Sequence, residues 1–318
     1  MSEKIFNIYP CGGAGIGVAN EILRSSRHQE YINKIVGLDT SDANQPLDGK
    51  FEVIRLKGTE GSGSNKRTNM HLYEPFVKQV LAAHEPNKIN ILIFAGSGGS
   101  GSGIGPYMAR VLLEQGIPCL SIVIGDRSSL KELDNTVSTL RSLANQTRLG
   151  HPVCFCYQEN ELGYTHTAIN KKIVQTIDAA LLSLNLENER IDYADIKNLF
   201  FFNQVVAADP ILTQMTFLTD DLLEGYMKQP VAALSLFPNA EAIMVPFSDL
   251  LYRKAGIFGE KNSGYNIGCH VVLDHGSSLQ ELEALMASQM KKTDAIGSRF
   301  KVQQSAVMGG GDDDGMFV

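Results

Sequence analysis

Tryptophan is absent from this sequence, and its five cysteines form no Cys-x-x-Cys pair. We therefore expect reduced thiols in the core and no metal site built from cysteine. Every apolar run is far shorter than the roughly 20 residues of a membrane helix, and residues 1–4 open no signal peptide. A formal net charge of −7 argues against a surface for nucleic-acid phosphates. These absences predict a cytoplasmic protein with no membrane segment and no direct nucleic-acid partner.

The first half of the 318-residue chain alternates apolar runs with helix-like segments. This alternation predicts an α/β fold, with a parallel sheet covered by helices on both faces. The expected strands are 5–9, 35–39, 51–56, 89–95, 120–125 and 153–157. Loops rich in glycine, serine and threonine follow several of them. A doubly wound sheet binds its ligand at the carboxyl ends of its strands, so a ligand site is expected there.

The second half begins with a predicted helix over residues 165–185, whose apolar residues recur at steps of three and four. At 1.5 Å per residue it is about 30 Å long, roughly the width of a domain. Further expected elements are helices at 192–202 and 220–236, strands at 242–247 and 268–273, and a last helix at 278–292. These predict a second, smaller α/β unit. Residues 293–318 are expected to be an extended tail.

A glycine-rich loop at residues 95–103 is the strongest local signal, because it follows an expected buried strand and leads into a helical run near Met108. Glycines let successive backbone N–H groups approach phosphate oxygens, and a helix N-terminus favours an anion. A flexible linker is the alternative, but linkers rarely lie between a buried strand and a helix. The loop therefore predicts a polyphosphate site.

Two more glycine loops follow expected strands, at residues 11–17 and 58–67. The first fails the dinucleotide pattern Gly-x-Gly-x-x-Gly/Ala, since Val18 occupies the third position, and the chain has no Walker A motif. The second loop carries Lys66 and Arg67, which would neutralise phosphate charge. Three such loops predict a nucleotide whose phosphates are held mainly by the backbone.

Two carboxylates, Asp192 and Asp195, lie three residues apart at the start of an expected helix. They are an ordinary N-cap and first-turn pair in one interpretation. In the other they position and polarise an attacking water. They would then lie about 30 Å from the phosphates, at the far end of the long helix, where a single molecule could hardly use them.

Two of these motifs resemble those of the tubulin/FtsZ superfamily, in which the site is completed between two subunits of a filament. Residues 97–103 are similar to the tubulin signature around Gly-Gly-Thr-Gly, with Ser100 in place of threonine. Residues 192–197 resemble the FtsZ synergy loop, Asp-Phe-Ala-Asp-Val followed by Arg or Lys. The acidic tail and the compact size add a likeness to the phage-encoded, TubZ-like tubulins. The resemblance spans nearly the whole chain and is weakest over residues 213–264.

The resemblance implies GTP and GDP as ligands, with Mg²⁺ as their cation. The nucleotide-binding residues that it implies are Gly12, Gly13, Ala14, Gly15, Asp39, Thr40, Gly61, Ser62, Ser97, Gly98, Gly99, Ser100, Gly101, Ser102, His166 and Asn170. Asn170 falls where the family reads guanine, and His166 falls where an aromatic residue stacks on the base, although a histidine at a helix start is also an ordinary surface residue. Asp192 and Asp195 are implied as catalytic residues toward the next subunit. Two positions depart from the family pattern. Gly17 stands where relatives often carry Asn or Gln, and Arg190 stands where Asn is usual.

The resemblance thus predicts a Rossmann-like GTPase domain (1–163), a central helix (164–187), a smaller activation domain (188–276), and a C-terminal helix with an acidic tail (277–318). The predicted protein is a GTPase that forms dynamic filaments with itself, with the tail on the adjacent subunit. It would position viral DNA or its replication compartment in the host cytoplasm. Two alternatives stay open. Gly17 and Arg190 allow a GTP-regulated filament with little turnover, and Asp39 allows a nicotinamide-dependent oxidoreductase.

Overall fold

Eleven strands form a single sheet in the part of the computed structural model that is described, residues 3–59, 61–63 and 69–307, with side chains to residue 292. The strands are β1 (Phe6–Cys11), β2 (Ile32–Asp39), β3 (Glu52–Arg55), β4 (Ile89–Ala95), β5 (Cys119–Gly125), β6 (Val153–Glu159), β7 (Asn188–Glu189), β8 (Leu212–Thr219), β9 (Pro230–Phe237), β10 (Tyr252–Phe258) and β11 (Cys269–His275). Their order across the sheet is β3-β2-β1-β4-β5-β6-β8-β11-β9-β10-β7. The six strands expected in the first half are all present, within three residues of their predicted ends.

The first six strands are parallel, and β1 lies between β2 and β4. Every residue of β1 is buried, as is nearly all of β4 and β5, which explains their continuous apolar sequence. In the register of β1 with β4, Cys11 lies opposite Phe94. The two strands therefore end at the same level, and the glycine loops that follow them meet at one edge of the sheet.

Eight α-helices flank the sheet in the described residues. They are α1 (Gly12–Ser25), α2 (Met70–Ala83), α3 (Ser100–Glu114), α4 (Leu130–Ala144), α5 (His166–Ser183), α6 (Tyr193–Phe200), α7 (Phe202–Val205) and α8 (Ser278–Val307). Helix α1 packs against α5, α2 against α3, and α4 against α8. The predicted long helix is α5, and its apolar stripe is buried. Helix α3 begins inside the glycine-rich loop, earlier than the run near Met108 that the sequence indicated.

The second half of the sheet continues directly from the first, because β6 pairs in parallel with β8 over three residues. Strand β11 is antiparallel to both β8 and β9, whereas β10 is parallel to β9. The helix predicted at 220–236 is wrong, since Pro230 begins strand β9 and all its other residues are buried. Such a continuous apolar run has no period that distinguishes a strand from a helix. The strand predicted at 242–247 is also wrong; it contains Pro246, which offers no backbone donor to a ladder.

Helix α8 begins where it was predicted but extends to Val307, so the tail expected from residue 293 starts as helix. Residues 278–307 contain no proline and are mostly helix-favouring types, which explains the extra length. The acidic cluster Asp312 to Asp314 lies outside the described residues, as do Lys66 and Arg67. No helix among the described residues is both long and apolar enough to cross a membrane. All five cysteines are buried and unpaired, as expected.

Candidate functional site

Two adjoining cavities lie at the carboxyl edge of the sheet, with volumes of about 390 and 500 Å³. The first, here called the phosphate cavity, is enclosed by the loops after β1, β2 and β4 together with residues 61–63. The second, here called the base cavity, is enclosed by the starts of α1 and α5 and by the ends of β4 and β5. The cavities share four residues: Gly13, Ala14, Asn44 and Ala95. They therefore form one continuous cleft.

The backbones of two glycine loops touch at the floor of the phosphate cavity. A Cβ added to Gly12 would lie 2.8 Å from the Gly101 nitrogen, and one added to Gly101 would lie 2.6 Å from the Cys11 carbonyl oxygen. Gly12 also has φ +72°, a conformation that side-chain-bearing residues rarely adopt. Any other residue at these two positions would push the loops apart. The close approach explains why glycine stands at both.

The N-termini of α1 and α3 both open onto the phosphate cavity. Neither helix has an acidic residue in its first turn, where Asp or Glu would otherwise be favourable. Neither begins with a side-chain cap, so several backbone N–H groups remain available at each end. The described residues that line the two cavities include no Lys or Arg. The cavity thus offers an anion neutral donors and two helix dipoles.

Hydroxyl groups from three loops meet at the phosphate cavity. Thr40 Oγ1 lies 2.5 Å from Ser100 Oγ and 3.3 Å from Ser62 Oγ. The Thr40 carbonyl accepts hydrogen bonds from the Gly61 backbone N–H at 2.9 Å and from Thr59 Oγ1 at 2.9 Å. Loops that are distant in sequence are therefore joined beside the cavity.

Asp39 lines the phosphate cavity, but its carboxylate is already hydrogen-bonded. Its oxygens accept from the Thr40 backbone N–H at 2.7 Å and from Asn44 Nδ2 at 2.8 Å, and it lies 4.0 Å from the Arg55 guanidinium. The side chain is 1% exposed. These contacts hold the loop after β2 in shape, and the ribose-binding role considered in the oxidoreductase alternative stays a prediction.

The base cavity brings Ser97, His166 and Asn170 together. Asn170 projects from the first turns of α5 toward Gly17, where an added Cβ would lie 3.5 Å from Asn170 Nδ2. His166 is exposed at the start of α5, which Thr165 caps by accepting from the Ala168 backbone N–H. The cavity therefore has an amide on one wall and an imidazole at its mouth.

Two asparagines of the cleft were missed by sequence reasoning. Asn160 directly follows β6 and lines the base cavity, and its amide donates to Asp126 at 2.9 Å. Burial works to raise the pKa of Asp126, but donors from Ser128 and Asn160 outweigh it and lower that pKa. The position of Asn160 after a predicted strand is a usable signal. Asn44 lies in a generally polar loop, and nothing in the sequence distinguishes it.

Three of the nucleotide-binding residues predicted from the sequence line neither cavity. Gly15 packs where an added Cβ would lie 2.3 Å from the Ile93 carbonyl oxygen. Ser102 donates to the carbonyl groups of Gly98 and Gly99 and so stabilises the signature loop from the side away from the cavity. Thr40 is buried behind the cavity and reaches it through Ser100. The other predicted nucleotide-binding residues all line the cleft.

Asp192 and Asp195 lie beyond the opposite end of α5 and form a capping box at the start of α6. Asp192 accepts from the Asp195 backbone N–H at 3.0 Å, and Asp195 accepts from the Asp192 backbone N–H at 3.1 Å. Asp195 also pairs with Lys254 at 2.9 Å and accepts from the Tyr252 hydroxyl at 3.1 Å. Burial alone would raise the pKa of Asp195, but these partners outweigh it and lower that pKa. The lowered pKa keeps Asp195 ionised at neutral pH, and the capping box fixes both side chains in place.

Comparison with known proteins finds phage tubulins. The chain is 28% identical over 263 residues to a phage tubulin-like protein of Pseudomonas phage PhiPA3, which covers 81% of this chain and 80% of the relative. Among solved structures, the phage tubulin PhuZ with GDP superposes with a TM-score of 0.82 at 22% identity, over 98% of this chain and 99% of that one. A PhuZ201 filament superposes with a TM-score of 0.81 at 22% identity, with the same coverage. No protein-family model matches the chain.

The site and the comparisons agree. The signature loop at residues 97–103 lies in the cleft, and the fold is that of the phage tubulins over almost its entire length. The chain is thus similar in sequence to phage tubulin-like proteins, and it has the fold of the phage tubulins.

Proposed function

We propose that this chain binds GTP and GDP, assembles head to tail into filaments and hydrolyses GTP at the contacts between subunits. The observation that supports this most strongly is the pairing of two features at opposite ends of α5. A cleft with phosphate and base cavities lies at one end, and two fixed carboxylates lie at the other. One of the similar structures contains GDP, and another is a filament.

The triphosphate is held by backbone N–H groups of the loops after β1 and β4, with the dipoles of α1 and α3 behind them. Mg²⁺ is part of the proposal, carried into the site by the phosphate oxygens. The described residues contain no cluster of three or more His, Cys, Asp or Glu that could hold a metal. Phosphate oxygens, and not side chains, would therefore supply most of the ligands of Mg²⁺. Bound there, Mg²⁺ would neutralise part of the phosphate charge.

Guanine specificity is proposed for the base cavity, where Asn160 and Asn170 are both present. An amide offers both a donor and an acceptor to a purine edge. We expect GTP to bind more tightly than ATP, and calorimetry with both nucleotides checks this. Equal affinities would remove the base-reading role of Asn170.

Hydrolysis is proposed to need two subunits because the catalytic carboxylates lie far from the cleft of their own chain. Helix α5 has 18 residues and separates the two by about 27 Å. In a head-to-tail contact, Asp192 and Asp195 of one subunit would face the triphosphate of the next. They would orient the attacking water there, in a site from which bulk water is excluded.

The proposed division of labour follows the chain. Residues 1–163 bind the nucleotide, 164–187 connect, 188–276 present the carboxylates, and 277–318 end in a tail that contacts the adjacent subunit. The cellular role, proposed from the likeness to phage proteins, is to position viral DNA or its replication compartment in the host cytoplasm.

Phosphate release measured against protein concentration tests the proposal. Turnover per subunit should be near zero below a threshold concentration and rise steeply above it, at the same concentration where light scattering appears. A rate per subunit that does not depend on concentration would contradict the shared site. GTP binding and filaments without phosphate release would instead favour the GTP-regulated structural filament.

A further inference from the structure

A continuous chain of four hydroxyl groups runs from the phosphate cavity into the protein core. Ser100 Oγ contacts Thr40 Oγ1 at 2.5 Å, Thr40 Oγ1 contacts Ser62 Oγ at 3.3 Å, and Ser62 Oγ contacts the Tyr73 hydroxyl at 3.1 Å. The four residues come from α3, the loops after β2 and β3, and α2. The chain therefore joins every loop around the phosphate cavity except the one after β1.

The inner end of this hydroxyl chain is fixed. Tyr73 is fully buried, and its ring packs so closely on α3 that a Cβ added to Gly103 would lie 2.2 Å from it. Asn69 Nδ2 donates to Ser62 Oγ at 3.3 Å and to the Gly61 carbonyl at 3.3 Å. Packing on α3 thus holds the Tyr73 ring, and Asn69 holds Ser62 beside its hydroxyl.

Burial also sets the direction of the protons. A hydroxyl group donates one hydrogen bond and accepts two. The Tyr73 hydroxyl has two polar side chains beside it, Ser62 and Asn69; Asn69 offers its amide N–H as a donor, and Ser62 Oγ lies 3.1 Å away as the acceptor for the Tyr73 proton. The reverse direction would leave a buried O–H without an acceptor there, which is unfavourable.

The remaining protons follow in sequence. Ser62 Oγ accepts from Asn69 and from Tyr73, so its own proton is donated to Thr40. Thr40 then donates to Ser100, whose proton has the phosphate cavity in front of it. Hydrogen bonds in such a chain polarise one another in the same direction.

We propose that Tyr73 is a positioning residue that orders this hydroxyl chain, so that Ser100 presents a hydrogen-bond donor to the phosphate groups of the bound nucleotide. The inference rests on the proposed function, because it names a phosphate as the acceptor. Tyr73 touches no nucleotide. It acts through Ser62 and Thr40. It makes the Ser100 hydroxyl of the signature loop a better donor without adding a charged residue to the cavity.

Replacement of the Tyr73 hydroxyl tests this on the full chain, below the concentration of assembly. Tyr73→Phe should weaken the binding of both GTP and GDP about fivefold by calorimetry, the factor expected for one neutral hydrogen bond. The matched control is Tyr9→Phe, since Tyr9 is also fully buried and its hydroxyl donates to the His84 carbonyl at 3.0 Å, away from the cleft. Tyr9→Phe should lower stability but change nucleotide affinity less than twofold.

A double-mutant cycle separates hydrogen bonding from packing. If Tyr73 acts through the chain, Tyr73→Phe should have almost no further effect in a Ser100→Ala background. A fivefold loss in both backgrounds would mean that Tyr73 acts by packing, and it would overturn the inference. Should Tyr73→Phe not fold, Ser62→Ala breaks the same chain and should give the same loss and the same coupling.

The remaining outcomes are also decisive. A parent chain that binds GTP and GDP while both Tyr73→Phe and Ser62→Ala bind within twofold of it would overturn the inference alone. A parent chain that binds neither nucleotide would overturn the proposed function, and the inference with it.

Discussion

The cleft and the Asp192–Asp195 corner, at opposite ends of α5, are built from different chemistry. The cleft has backbone N–H groups, hydroxyls and amides, and its described lining includes no Lys or Arg. The corner has two carboxylates joined in a capping box, and Lys254 and Tyr252 hold one of them, Asp195. Neutral donors suit an anionic ligand that must be released, whereas fixed charges suit the orientation of water. The contrast supports the proposal that these are two half-sites, which assembly would bring together.

The corner should be dispensable for binding but not for turnover. We expect Asp195→Ala to lower GTP turnover in assembled protein by on the order of 10²–10⁴-fold, the range for loss of a general base or water-positioning group. Nucleotide affinity of the monomer should not change. Loss of the capping box costs about 1 kcal/mol of stability, so unfolding is measured alongside. Turnover equal to that of the parent would reduce Asp195 to a helix cap.

The cleft, in contrast to the corner, should be required for nucleotide binding. In Gly101→Ala the new Cβ would lie 2.6 Å from the Cys11 carbonyl oxygen, and the two loops must separate. We expect GTP affinity to fall about 100-fold, as for overpacking that costs 2–3 kcal/mol. Gly264→Ala is the control, because open space surrounds Gly264. If Gly101→Ala binds GTP as tightly as the parent, the backbone does not hold the phosphates.

Sequence reasoning predicted the cleft better than the rest of the fold, for a physical reason. Continuous apolar strands followed by glycine loops leave a local signature, and nearly all of the predicted nucleotide-binding residues line the cleft. Strands β8 and β10 were missed because half-buried strands flanked by Pro, Gly and Asp have no clear period. Asn44 and Tyr73 lie against Gly13 and Gly103, which are distant in sequence, so no local pattern reveals these contacts.

Asp192 and Asp195 illustrate the other limit of the sequence. The N-cap and first-turn pair that the spacing predicted is present, and the two residues also form a capping box. The catalytic hypothesis came from resemblance, and it stays a prediction, because a helix cap and a water-positioning pair have the same spacing. The pair lies beyond α5, far from the cleft of its own chain, and this position favours a role toward a second subunit.

The pH dependence of turnover should reveal the charge at the corner. Burial would raise the pKa of Asp195, but Lys254 and the other donors lower it below its ordinary value of 3.8. The carboxylate is therefore protonated only as the pH falls below that ordinary value. In Lys254→Met that pKa rises, and both turnover and this part of the stability should decline at a higher pH than in the parent. Lys261→Met, which removes the pair with Glu187, is the control. Identical acid limbs for Lys254→Met and the parent would show that Lys254 does not tune Asp195.

The smallest effect is expected at Arg190, which precedes the capping box with φ +78°. Asn tolerates this left-handed conformation better than Arg. Arg190→Asn should therefore raise the free energy of unfolding by about 0.5–1 kcal/mol, measured by urea denaturation. Arg148→Asn, on an exposed turn without positive φ, should not stabilise the protein. Equal effects of the two substitutions would mean that Arg190 is not strained.

Mixing two inactive variants separates a shared site from two independent ones. Asp195→Ala keeps the cleft and Gly101→Ala keeps the corner, so each alone should hydrolyse almost no GTP. In a mixture, labelled Gly101→Ala subunits should co-sediment with Asp195→Ala filaments, and phosphate release should exceed the sum of the separate rates severalfold. Co-sedimentation with release no greater than that sum would contradict hydrolysis across the subunit contact.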